Sequence, residues 1–426
     1  MLRTHYSKDV RDGDVIVAGW VRAIRDIGKT KFIILADRYG EIQITAKKDE
    51  VGEALMRQID TLTKESVISV SGAAKKSAQA PGGKEIVPSE IIVLNKSESV
   101  LPLDLKIKSQ LDTRLDFRFL DLRHPEVRAI FRIKDVIQRS FVRYLEDRDF
   151  VLINTPAIVA AATEGGTNLF PISYFEREAF LVQSPQLYKQ MMMASGLDKV
   201  AIVTPVFRAE EHDTSFHLNE TTQMDIEAAF VNDEQDVLDH LQGVINYIYS
   251  QVSKNCNDEL KALGRDIAVP KLPIKQVTYD DALQLLKKEG VKLKWGDDLS
   301  PETQRLINKH FDPVIVTKWP TDRRAFYAMP EPGKEKICRG YDMLIDGIEI
   351  CSGAQRIHEH DKLVKEMLRR KMNPKNFEFY LDAFRYGIPP HAGWSIGLER
   401  LTMVICGLKN IRECMLFPRD RKRLTP

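Results

Sequence analysis

Residues 14–95 contain short apolar runs separated by polar and turn residues, a pattern typical of β-strands. Between the third and fourth runs, the stretch DEVGEALMRQIDTLTKES repeats its apolar residues with the period of a helix. The pattern therefore predicts five strands with one helix before the fourth strand. The five runs, all rich in valine and isoleucine, are DVIVAGWV, KFIILAD, GEIQITA, SVISVSG and EIVPSEIIVL.

This order of elements is the one expected of an OB-fold, a small β-barrel that binds oligonucleotides. Strand order alone also allows a small barrel of another kind. We predict an OB-fold domain at residues 1–100. Residues 101–125 are charged and rich in turn formers, and we predict that they form a linker or hinge with short helical pieces.

From residue 126 onward the pattern changes to amphipathic helices mixed with buried strands. A long helix is predicted first, over VRAIFRIKDVIQRSFVRYLEDRDF. Because strands and helices do not alternate regularly, we predict an α+β domain at residues 126–426, built on an antiparallel sheet flanked by helices. Residues 232–335 have few strong strand patterns and are predicted to be a mostly helical insertion. The strand candidates are VLINTPAIV, AIVTPVF, MDIEAAF, YDMLIDGIEICSG and HAGWSIG.

The composition is that of an ordinary globular protein, with 43% hydrophobic and 29% charged residues. A formal net charge of +2 argues against binding nucleic acid by bulk charge alone, so such contacts should be local. The five cysteines are scattered and show no zinc-ligand spacing. The first residues lack the apolar core of a secretory signal, and no apolar run approaches the ~20 residues of a membrane span. We expect a cytoplasmic protein that does not contact a membrane.

The most unusual pattern is the charged stretch FRAEEHDTSFHLNE, which lies between the apolar runs VAIVTPV and MDIEAAF. Alternation places Arg208 and Glu210 on one face of the first strand, and Asp225 and Glu227 on one face of the second. The connection is too long for a tight hairpin, and connections of this length are commonly functional. Taken alone, however, a charged surface hairpin is the simpler interpretation.

The stretch GWSIGLERL predicts a strand that ends at Gly397 and a helix that begins near Leu398. Gly393 and Gly397 would leave the strand surface bare, so that a flat ring could lie against it. Arg400, in the first turn of the helix, could stack on the other face of that ring. In isolation, glycines at this spacing are also compatible with simple packing.

The stretch GIEICSGAQRIH supplies Glu349, Ser352 and Arg356. Oxygen ligands of this kind suit Mg²⁺, which proteins usually hold with one or two carboxylates plus substrate phosphates. A half-buried strand with ordinary polar positions would show the same pattern. The chain contains neither the GxGxxG motif nor the P-loop motif, so any use of ATP requires another architecture.

These stretches, together with the helix–strand segment FVLINTPAIV around Pro156, resemble the three signature motifs of the class II aminoacyl-tRNA synthetases. In that family the first motif forms the dimer interface. An OB-fold before such a core marks the class IIb subgroup for aspartate, asparagine and lysine. The resemblance extends from RTHYS near the N-terminus to the last residue. Within the subgroup, the segments most similar to archaeal-type aspartyl-tRNA synthetases are ATEGGTNLF, QSPQLYKQ, FRYGIPPHAG and LFPRDRKRLTP.

The resemblance implies an aspartate–tRNA ligase that forms aspartyl-adenylate from L-aspartate and ATP and passes the aspartyl group to tRNA(Asp). It also implies Mg²⁺ and a homodimer, and it leaves open whether tRNA(Asn) is charged as well. No protein nucleophile is required. Catalysis would rest on positioning and on electrostatic stabilisation by Arg208 and Arg400.

The matching motifs imply neighbouring sites for ATP, aspartate and the metal ion. Glu349 and Ser352 are implied to hold Mg²⁺, with Asp342 as a supporting acid. The residues implied for ATP are Arg208, Ala209, Glu210, Phe216, His217, Leu218, Glu349, Gly397, Leu398, Glu399 and Arg400. The residues implied for aspartate are Glu164, Gln186, Leu187, Tyr188, Lys189, Arg208, Asp225, Ser352 and Arg356.

Within the aspartate site, the resemblance assigns the side-chain carboxylate of the substrate to Lys189 and Arg356, and its α-amino group to Asp225 and Gln186. Cations around a carboxylate would reject neutral asparagine. At the ATP site one position departs from the family. Phe216 stands where many relatives carry an arginine that reaches the γ-phosphate.

In the barrel, the resemblance assigns Phe32 and Gln43 to anticodon bases, although Phe32 could equally belong to the barrel core. Relatives restricted to tRNA(Asp) tend to carry Trp in the first strand and Lys before the last strand, whereas relaxed relatives carry His and Pro. The chain has Arg22 and Pro81 at these positions, a mixed pair that favours the relaxed kind.

Three alternatives share parts of this pattern. An asparaginyl-tRNA synthetase would have the same fold, but Lys189 beside QSPQLY argues against it. A free-standing asparagine synthetase would lack the barrel domain. A non-catalytic RNA-binding paralogue should have lost Arg208, Glu349 or Arg400, and all three are present.

Overall fold

The computed structural model describes residues 1–104, 107, 109–160, 168–211 and 213–426. The chain divides into two compact units, Met1–Asp104 and Leu105–Pro426. Among the described helices, none combines the length and the apolar character that a membrane span requires.

The first unit consists of five strands and one helix. They are β1 (Gly13–Ile27), β2 (Thr30–Ala36), β3 (Glu41–Lys47), α1 (Lys48–Asp60), β4 (Val67–Lys76) and β5 (Lys84–Asn95). The strands form a closed barrel in the order β1–β2–β3–β5–β4, and the parallel pairing of β3 with β5 completes the closure. Alternate residues such as Val15, Val17 and Val21 point into the barrel core. The predicted barrel with a helix before its fourth strand is confirmed.

The second unit begins with two short helices and a long one, and then forms a large sheet with helices on it. The elements up to the charged loop are α2 (Leu111–Asp116), α3 (Arg118–Asp121), α4 (Pro125–Glu146), β6 (Val151–Leu152), β7 (Ile158–Val159), β8 (Pro171–Tyr174), β9 (Arg177–Leu181), α5 (Gln186–Met192) and β10 (Lys199–Phe207). The elements after it are β11 (Glu220–Ala229), α6 (Gln235–Asn255), α7 (Asn257–Ala262), β12 (Lys275–Thr278), α8 (Tyr279–Lys288), α9 (Pro301–Asn308), β13 (Val314–Thr317), β14 (Pro330–Glu331), β15 (Lys334–Cys338), β16 (Gly340–Ile345), β17 (Ile348–Gln355), α10 (His360–Arg369), α11 (Glu378–Arg385), β18 (His391–Gly397) and α12 (Leu398–Cys406).

The main sheet has eight strands in the order β12–β13–β16–β17–β18–β11–β10–β6. The six central strands are antiparallel to their neighbours, as predicted, because β10 and β11 form a hairpin and β18 lies between β11 and β17. Only the two edge pairings, β10 with β6 and β12 with β13, are parallel. The fold is therefore α+β, with a mixed sheet.

The two faces of the sheet differ in character because side chains alternate along each strand. Met224, Ile226, Trp394 and Ile396 belong to the largest hydrophobic core, which also contains the apolar side chains of α4 and α6. The opposite face carries the polar residues of the same strands and faces the candidate site. The alternation of β11 stops at Ala229, because the next residue, Phe230, has a positive φ of 58° and is 69% exposed.

Residues 232–335 differ in part from the predicted helical insertion. Helices α6 to α9 make up much of this stretch, but β12 and β13 add two strands to one edge of the main sheet. Each has four residues, and β13 (VIVT) is buried throughout. A buried run of this length shows no alternation and cannot be distinguished from a helical segment by its pattern. That is why the prediction missed β13, whereas β12 (KQVT) is exposed or half-buried and contains only one strongly apolar residue.

Candidate active site

A cavity of about 380 Å³ opens on the polar face of the main sheet. The β10–β11 loop (residues 208–219), strands β17 and β18, and the start of α12 surround it. Most of the predicted ATP residues line this cavity, together with two arginines that the sequence did not single out, Arg323 and Arg324. The predicted residues in its wall are Gln186, Arg208, Glu210, Phe216, His217, Leu218, Glu349, Ser352, Arg356, Gly397, Glu399 and Arg400.

Arg208 and Glu210 line the cavity just beyond Phe207, the last residue of β10, and so lie in the loop and not on the strand face that the alternation predicted. The guanidinium of Arg208 lies 4.0 Å from Glu210 Oε1, and the Arg208 side chain is 46% exposed. The backbone fixes the base of the loop: Arg208 N donates to Asn219 O (2.8 Å), and Ala209 N donates to Asn168 O (2.9 Å). Arg208 is thus an accessible cation on an anchored strand end.

Arg400 also lines the cavity, from the first turn of α12. Its Nη1 donates to the backbone oxygen of Glu349 (3.0 Å) and lies 3.8 Å from Glu349 Oε1. A Cβ at Gly397 would sit 3.8 Å from the Cβ, Cγ and Cδ of Arg400, which is ordinary van der Waals contact, so the surface at this glycine borders the aliphatic part of Arg400. Gly393 has a different role. A Cβ there would lie 2.2 Å from Glu227 Oε2, so Gly393 makes room for a buried carboxylate and not for a ring.

Glu399 and Leu398, both predicted to contact ATP, direct their side chains into the fold. Leu398 belongs to the hydrophobic core. The Glu399 carboxylate, which is 1% exposed, accepts hydrogen bonds from Lys134 Nζ on α4 (2.8 Å) and from the backbone N–H of Thr222 on β11 (2.9 Å). This carboxylate therefore joins the start of α12 to two neighbouring elements.

A group of acidic and basic side chains forms the wall around β16 and β17. Arg324 lies 2.7 Å from Asp342 Oδ2 and donates from Nη1 to Ser352 Oγ (2.9 Å). Asp342 Oδ1 is buried and has no hydrogen-bond partner among the described residues. Desolvation, followed by the nearby charge of Asp342, raises the pKa of Glu349 to about 7. Desolvation also raises the pKa of Asp342, so a cation beside these two carboxylates would be favourable.

Beneath the cavity lies a buried cluster of two cations and two carboxylates. Lys189 on α5 is 0% exposed, donates to Asp225 Oδ2 (2.9 Å) and lies 3.5 Å from Glu227 Oε2. Arg356, just after β17, donates from Nε and Nη2 to the two carboxylate oxygens of Glu227 (2.9 and 3.2 Å). Burial alone would raise the pKa of Glu227, but Arg356 and Lys189 lower it, so the carboxylate stays ionised.

Glu227 was not among the predicted site residues. The signal was present, because alternation placed it on the same strand face as Asp225, which was predicted. Its role depends on Arg356, which is far away in the sequence, and no local pattern reports that contact.

The remaining predicted aspartate residues lie near this cluster. Gln186 lines the cavity, and its Oε1 accepts from Arg356 Nη2 (3.3 Å), while its Nε2 is buried without a partner among the described residues. Leu187 is 1% exposed and packs in a hydrophobic core, and Tyr188 is half-buried. Glu164 lies outside the described residues.

The predicted anticodon residues lie on the barrel of the first unit. Strand β2 points Ile33 and Leu35 into the core and Phe32 outward, which argues against a core role for Phe32. Gln43 Nε2 donates to Thr45 Oγ1 (3.1 Å).

Arg22 and Pro81 occupy the two barrel positions that the resemblance links to the choice between tRNA(Asp) and tRNA(Asn). Arg22 lies 2.7 Å from Glu65 Oε1, and Pro81 begins the short 3₁₀ turn before β5.

Comparison with known proteins assigns the family. Residues 110–421 match the family of tRNA synthetases class II (D, K and N), and residues 15–94 match the OB-fold nucleic acid binding domain. The chain belongs to the class II aminoacyl-tRNA synthetases for aspartate, lysine and asparagine. It is therefore an enzyme of this synthetase family, as the sequence motifs predicted.

Relatives are similar over the whole chain. The Aspartate–tRNA(Asp/Asn) ligase of Methanothermobacter thermautotrophicus is 50% identical over 100% of this chain and 98% of its own length. That of Methanocaldococcus jannaschii is 49% identical with the same coverage. Among solved structures, asparaginyl-tRNA synthetase from Pyrococcus horikoshii with asparaginyl-adenylate has a TM-score of 0.95 at 32% identity, covering 100% of both chains. Aspartyl tRNA synthetase from Entamoeba histolytica has a TM-score of 0.89 at 29% identity, covering 100% of this chain and 93% of its own.

Proposed function

We propose that this synthetase joins L-aspartate to tRNA(Asp) and to tRNA(Asn) through an aspartyl-adenylate. The choice of aspartate rests on the buried cluster of Lys189, Arg356, Asp225 and Glu227, whose two positive and two negative charges balance. Apart from the α-carboxylate, which reacts with ATP, aspartate brings an ammonium and a side-chain carboxylate, so its binding keeps this balance. Asparagine brings the ammonium without the carboxylate and would leave a buried positive charge unpaired, which is costly.

Two hydrogen-bond donors are directed toward the proposed substrate carboxylate. Arg356 lines the cavity, and its Nη1 makes no hydrogen bond among the described residues, in contrast to its Nε and Nη2. Gln186 Nε2 is likewise buried without a partner there. Because an amide N–H₂ group only donates, Gln186 in this orientation suits a carboxylate of the substrate better than the α-amino group that the resemblance assigned to it. Asp225 remains the acceptor for the α-amino group.

Arg208 and Arg400 both line the part of the cavity that we assign to ATP. We infer that Arg208 neutralises the α-phosphate during attack by the aspartate carboxylate, since it is an accessible cation with a long 4.0 Å ion pair. Arg400 would stack on the adenine against the open strand surface at Gly397. No protein nucleophile is needed, because the aspartate carboxylate itself attacks the α-phosphorus and pyrophosphate leaves.

The residues of the β16–β17 wall fit Mg²⁺. Glu349 and Ser352 would hold the ion with the phosphates of ATP, and the unpartnered Asp342 Oδ1 would support it. When bound, the ion would offset phosphate charge and the mutual repulsion of the two carboxylates. Arg324 already holds Asp342 and Ser352 in place.

The proposed tRNA contact is the outer surface of the barrel, with Phe32 as a stacking platform and Gln43 as a base reader. Thr45 Oγ1 donates to Glu85 Oε2 (2.7 Å) beside Gln43, which limits the orientations that Gln43 can adopt. Charging of tRNA(Asn) is supported by Pro81 before β5 and by two relatives of 50% and 49% identity that are named Aspartate–tRNA(Asp/Asn) ligases.

We further propose a homodimer that works in the cytoplasm. The edge strand β6 exposes Val151 (42%) and Leu152 (54%) at the start of the first signature motif, which suits an interface between two copies. All five cysteines are free and buried, as in proteins of a reducing compartment.

We also propose that residues 1–100 form an anticodon-binding domain, residues 101–125 a linker and residues 126–426 the catalytic domain. A solution mass of about twice 48.7 kDa would support the dimer, and a monomer would contradict it.

The function is tested by pyrophosphate exchange and by aminoacylation with labelled amino acids. We expect exchange with aspartate and not with asparagine, and charging of both tRNA(Asp) and tRNA(Asn) transcripts. The Arg208→Ala variant should lose exchange while it stays folded. Exchange that depends on asparagine would refute the proposed specificity, and charging of tRNA(Asp) alone would refute the part that concerns tRNA(Asn).

A further inference from the structure

The β10–β11 loop, which carries the proposed ATP residues Arg208 and Glu210, contacts the C-terminal segment (residues 410–426) along its length. Asn219 N donates to Arg419 O (2.8 Å), and Ile411 N donates to Ser215 O (2.9 Å). The side-chain amide of Asn219 also donates to the backbone oxygens of Arg208 and Glu210 (2.7 and 3.0 Å). The last residues of the chain thus hold the loop that delivers Arg208.

One side chain concentrates these contacts. Arg412 donates from Nη1 to Thr214 O (3.0 Å), from Nη2 to Asp213 Oδ1 (2.8 Å) and from Nε to Asp420 Oδ2 (2.6 Å). Two of the three contacts are on the loop, and the third is on the C-terminal segment itself. The Arg412 side chain is 11% exposed, so water competes little for its donors.

Other ion pairs between the same parts of the chain are more exposed. Lys422 pairs with Asp213 (2.6 Å) but is 80% exposed, and Arg421 pairs with Glu211 (3.2 Å), with both side chains more than half exposed. Ion pairs in contact with solvent contribute little. Among these side-chain contacts, we therefore expect those of Arg412 to contribute most to holding the loop in place.

Arg412 is also held firmly from its own side. Its backbone N–H donates to Asn410 Oδ1 (3.1 Å) in the 3₁₀ turn Ile411–Cys414. Asp420, its partner, accepts two further bonds from the backbone N–H groups of Lys422 and Arg423 (2.8 Å each). Burial would raise the pKa of Asp420, but the bond from Arg412 and these backbone donors lower it, so the partner stays charged.

We propose that Arg412 is a positioning residue for ATP. It touches no substrate itself and acts through Asp213 and Thr214, keeping the β10–β11 loop against the cavity so that Arg208 and Glu210 face the nucleotide. The proposal rests on the ATP site assigned above. The aspartate cluster should not depend on it, because Lys189, Asp225 and Arg356 lie on α5, on β11 and directly after β17.

The test compares Arg412→Ala with Arg423→Ala. Arg423 belongs to the same segment and pairs with Asp116 (2.6 Å) instead of with the loop, so it controls for general loosening of the C-terminus. In aspartate-dependent pyrophosphate exchange, R412A should lower kcat/KM for ATP by about 10- to 100-fold, since small displacements of a positioned group have effects of this size. The KM for aspartate should change less than about threefold. R412K should recover only part of the loss, because one ammonium cannot reproduce three directed contacts.

A second measurement is independent of catalysis. Hydrogen–deuterium exchange should be faster in the β10–β11 loop of R412A than in that of R423A or of the unmodified chain. Unchanged loop exchange, or equal losses for ATP and aspartate, would overturn the proposal. If the unmodified chain gave no aspartate-dependent exchange at all, the proposed function would fail instead. ATP affinity from equilibrium dialysis would still decide the role of Arg412, since R412A must weaken it and R423A must not.

Discussion

At the scale of single residues, Glu227 determines the charge balance beneath the cavity. Both carboxylate oxygens of Glu227 accept hydrogen bonds from Arg356, and one of them also lies 3.5 Å from Lys189 Nζ. The Glu227 side chain is 0% exposed. Breaking such a group by removing one partner costs more than the group contributes to stability, because the remaining charges stay buried. We therefore expect Glu227 to affect both the stability of the fold and the binding of aspartate.

Replacing Glu227 with Gln should lower the free energy of unfolding by about 3 kcal/mol, because Arg356 and Lys189 lose a buried counter-charge. The same change should raise the KM for aspartate more than the KM for ATP, since Arg356 would no longer be held in place. Chemical unfolding and pyrophosphate exchange measure the two effects. The matched control is Asp382→Asn, which removes a carboxylate from an exposed pair with Arg385 and should cost less than ~1 kcal/mol. Equal costs for the two variants would contradict this account.

His391 lies next to the same cluster, and its titration should make the free energy of unfolding depend on pH. It is 0% exposed, with its Nε2 3.2 Å from Gln190 Nε2, and burial lowers its pKa from 6.5 to about 4. The unfolded chain takes up this proton near pH 6.5 and the folded chain only near pH 4, so the stabilisation is complete above pH 6.5 and is lost as the pH falls toward 4. Full loss corresponds to about 3 kcal/mol.

We therefore expect His391→Gln to flatten the fall in unfolding free energy between pH 6.5 and pH 4, as measured by denaturant titration with tryptophan fluorescence. Above pH 7 the difference between the variant and the unmodified chain should be constant, which serves as an internal control. Parallel curves for the two proteins over the whole range would show that His391 does not titrate as described.

At the scale of elements, local sequence patterns predicted the features that are determined within a single strand or helix. Alternation along β11 predicted the shared face of Asp225 and Glu227, and the Gly397–Arg400 pattern predicted the strand-to-helix junction, whereas β10 ends at Phe207 before it reaches Arg208 and Glu210. The four-residue strands β12 and β13 were missed because neither is long enough to show a periodicity of its own. Arg412 was missed because its partner Thr214 is 198 positions away in the chain, and no local pattern encodes such a contact.

Where α4 packs against α6, we predict that replacing a helix glycine with alanine destabilises the protein, although alanine usually favours a helix. Gly243 lies in the interior of α6, where alanine would normally stabilise a helix by up to about 1 kcal/mol. Here a Cβ at Gly243 would lie 1.8 Å from Tyr144 Oη and 2.7 Å from its Cζ. Gly243→Ala should therefore lower the unfolding free energy by about 1–3 kcal/mol. In a Tyr144→Leu background the same change should become neutral or stabilising, and destabilisation of equal size in both backgrounds would exclude the clash as its cause.

At the scale of the whole molecule, the two units divide the proposed work between them. The first unit encloses its own hydrophobic core around Ile33, Ile44 and Ile68, and the second has a separate core between its sheet and α4 and α6. A unit with its own core can fold independently. The described residues of the proposed aspartate and ATP site lie in the second unit, and the proposed anticodon contacts lie in the first.

Residues 105–426 expressed alone should therefore retain aspartate-dependent pyrophosphate exchange within about threefold, and they should lose charging of tRNA(Asp). A stacked base contributes about 1–3 kcal/mol, so losing two such contacts at ~1.4 kcal/mol each lowers kcat/KM for tRNA by about 100-fold. The full chain with Phe32→Ala, which removes an outward side chain and leaves the barrel core intact, should show a smaller loss in the same direction and normal exchange. A fragment that charges tRNA as well as the full chain does would mean that the barrel does not read the anticodon. A fragment that has lost exchange as well would mean that the catalytic site needs the first unit for its own stability.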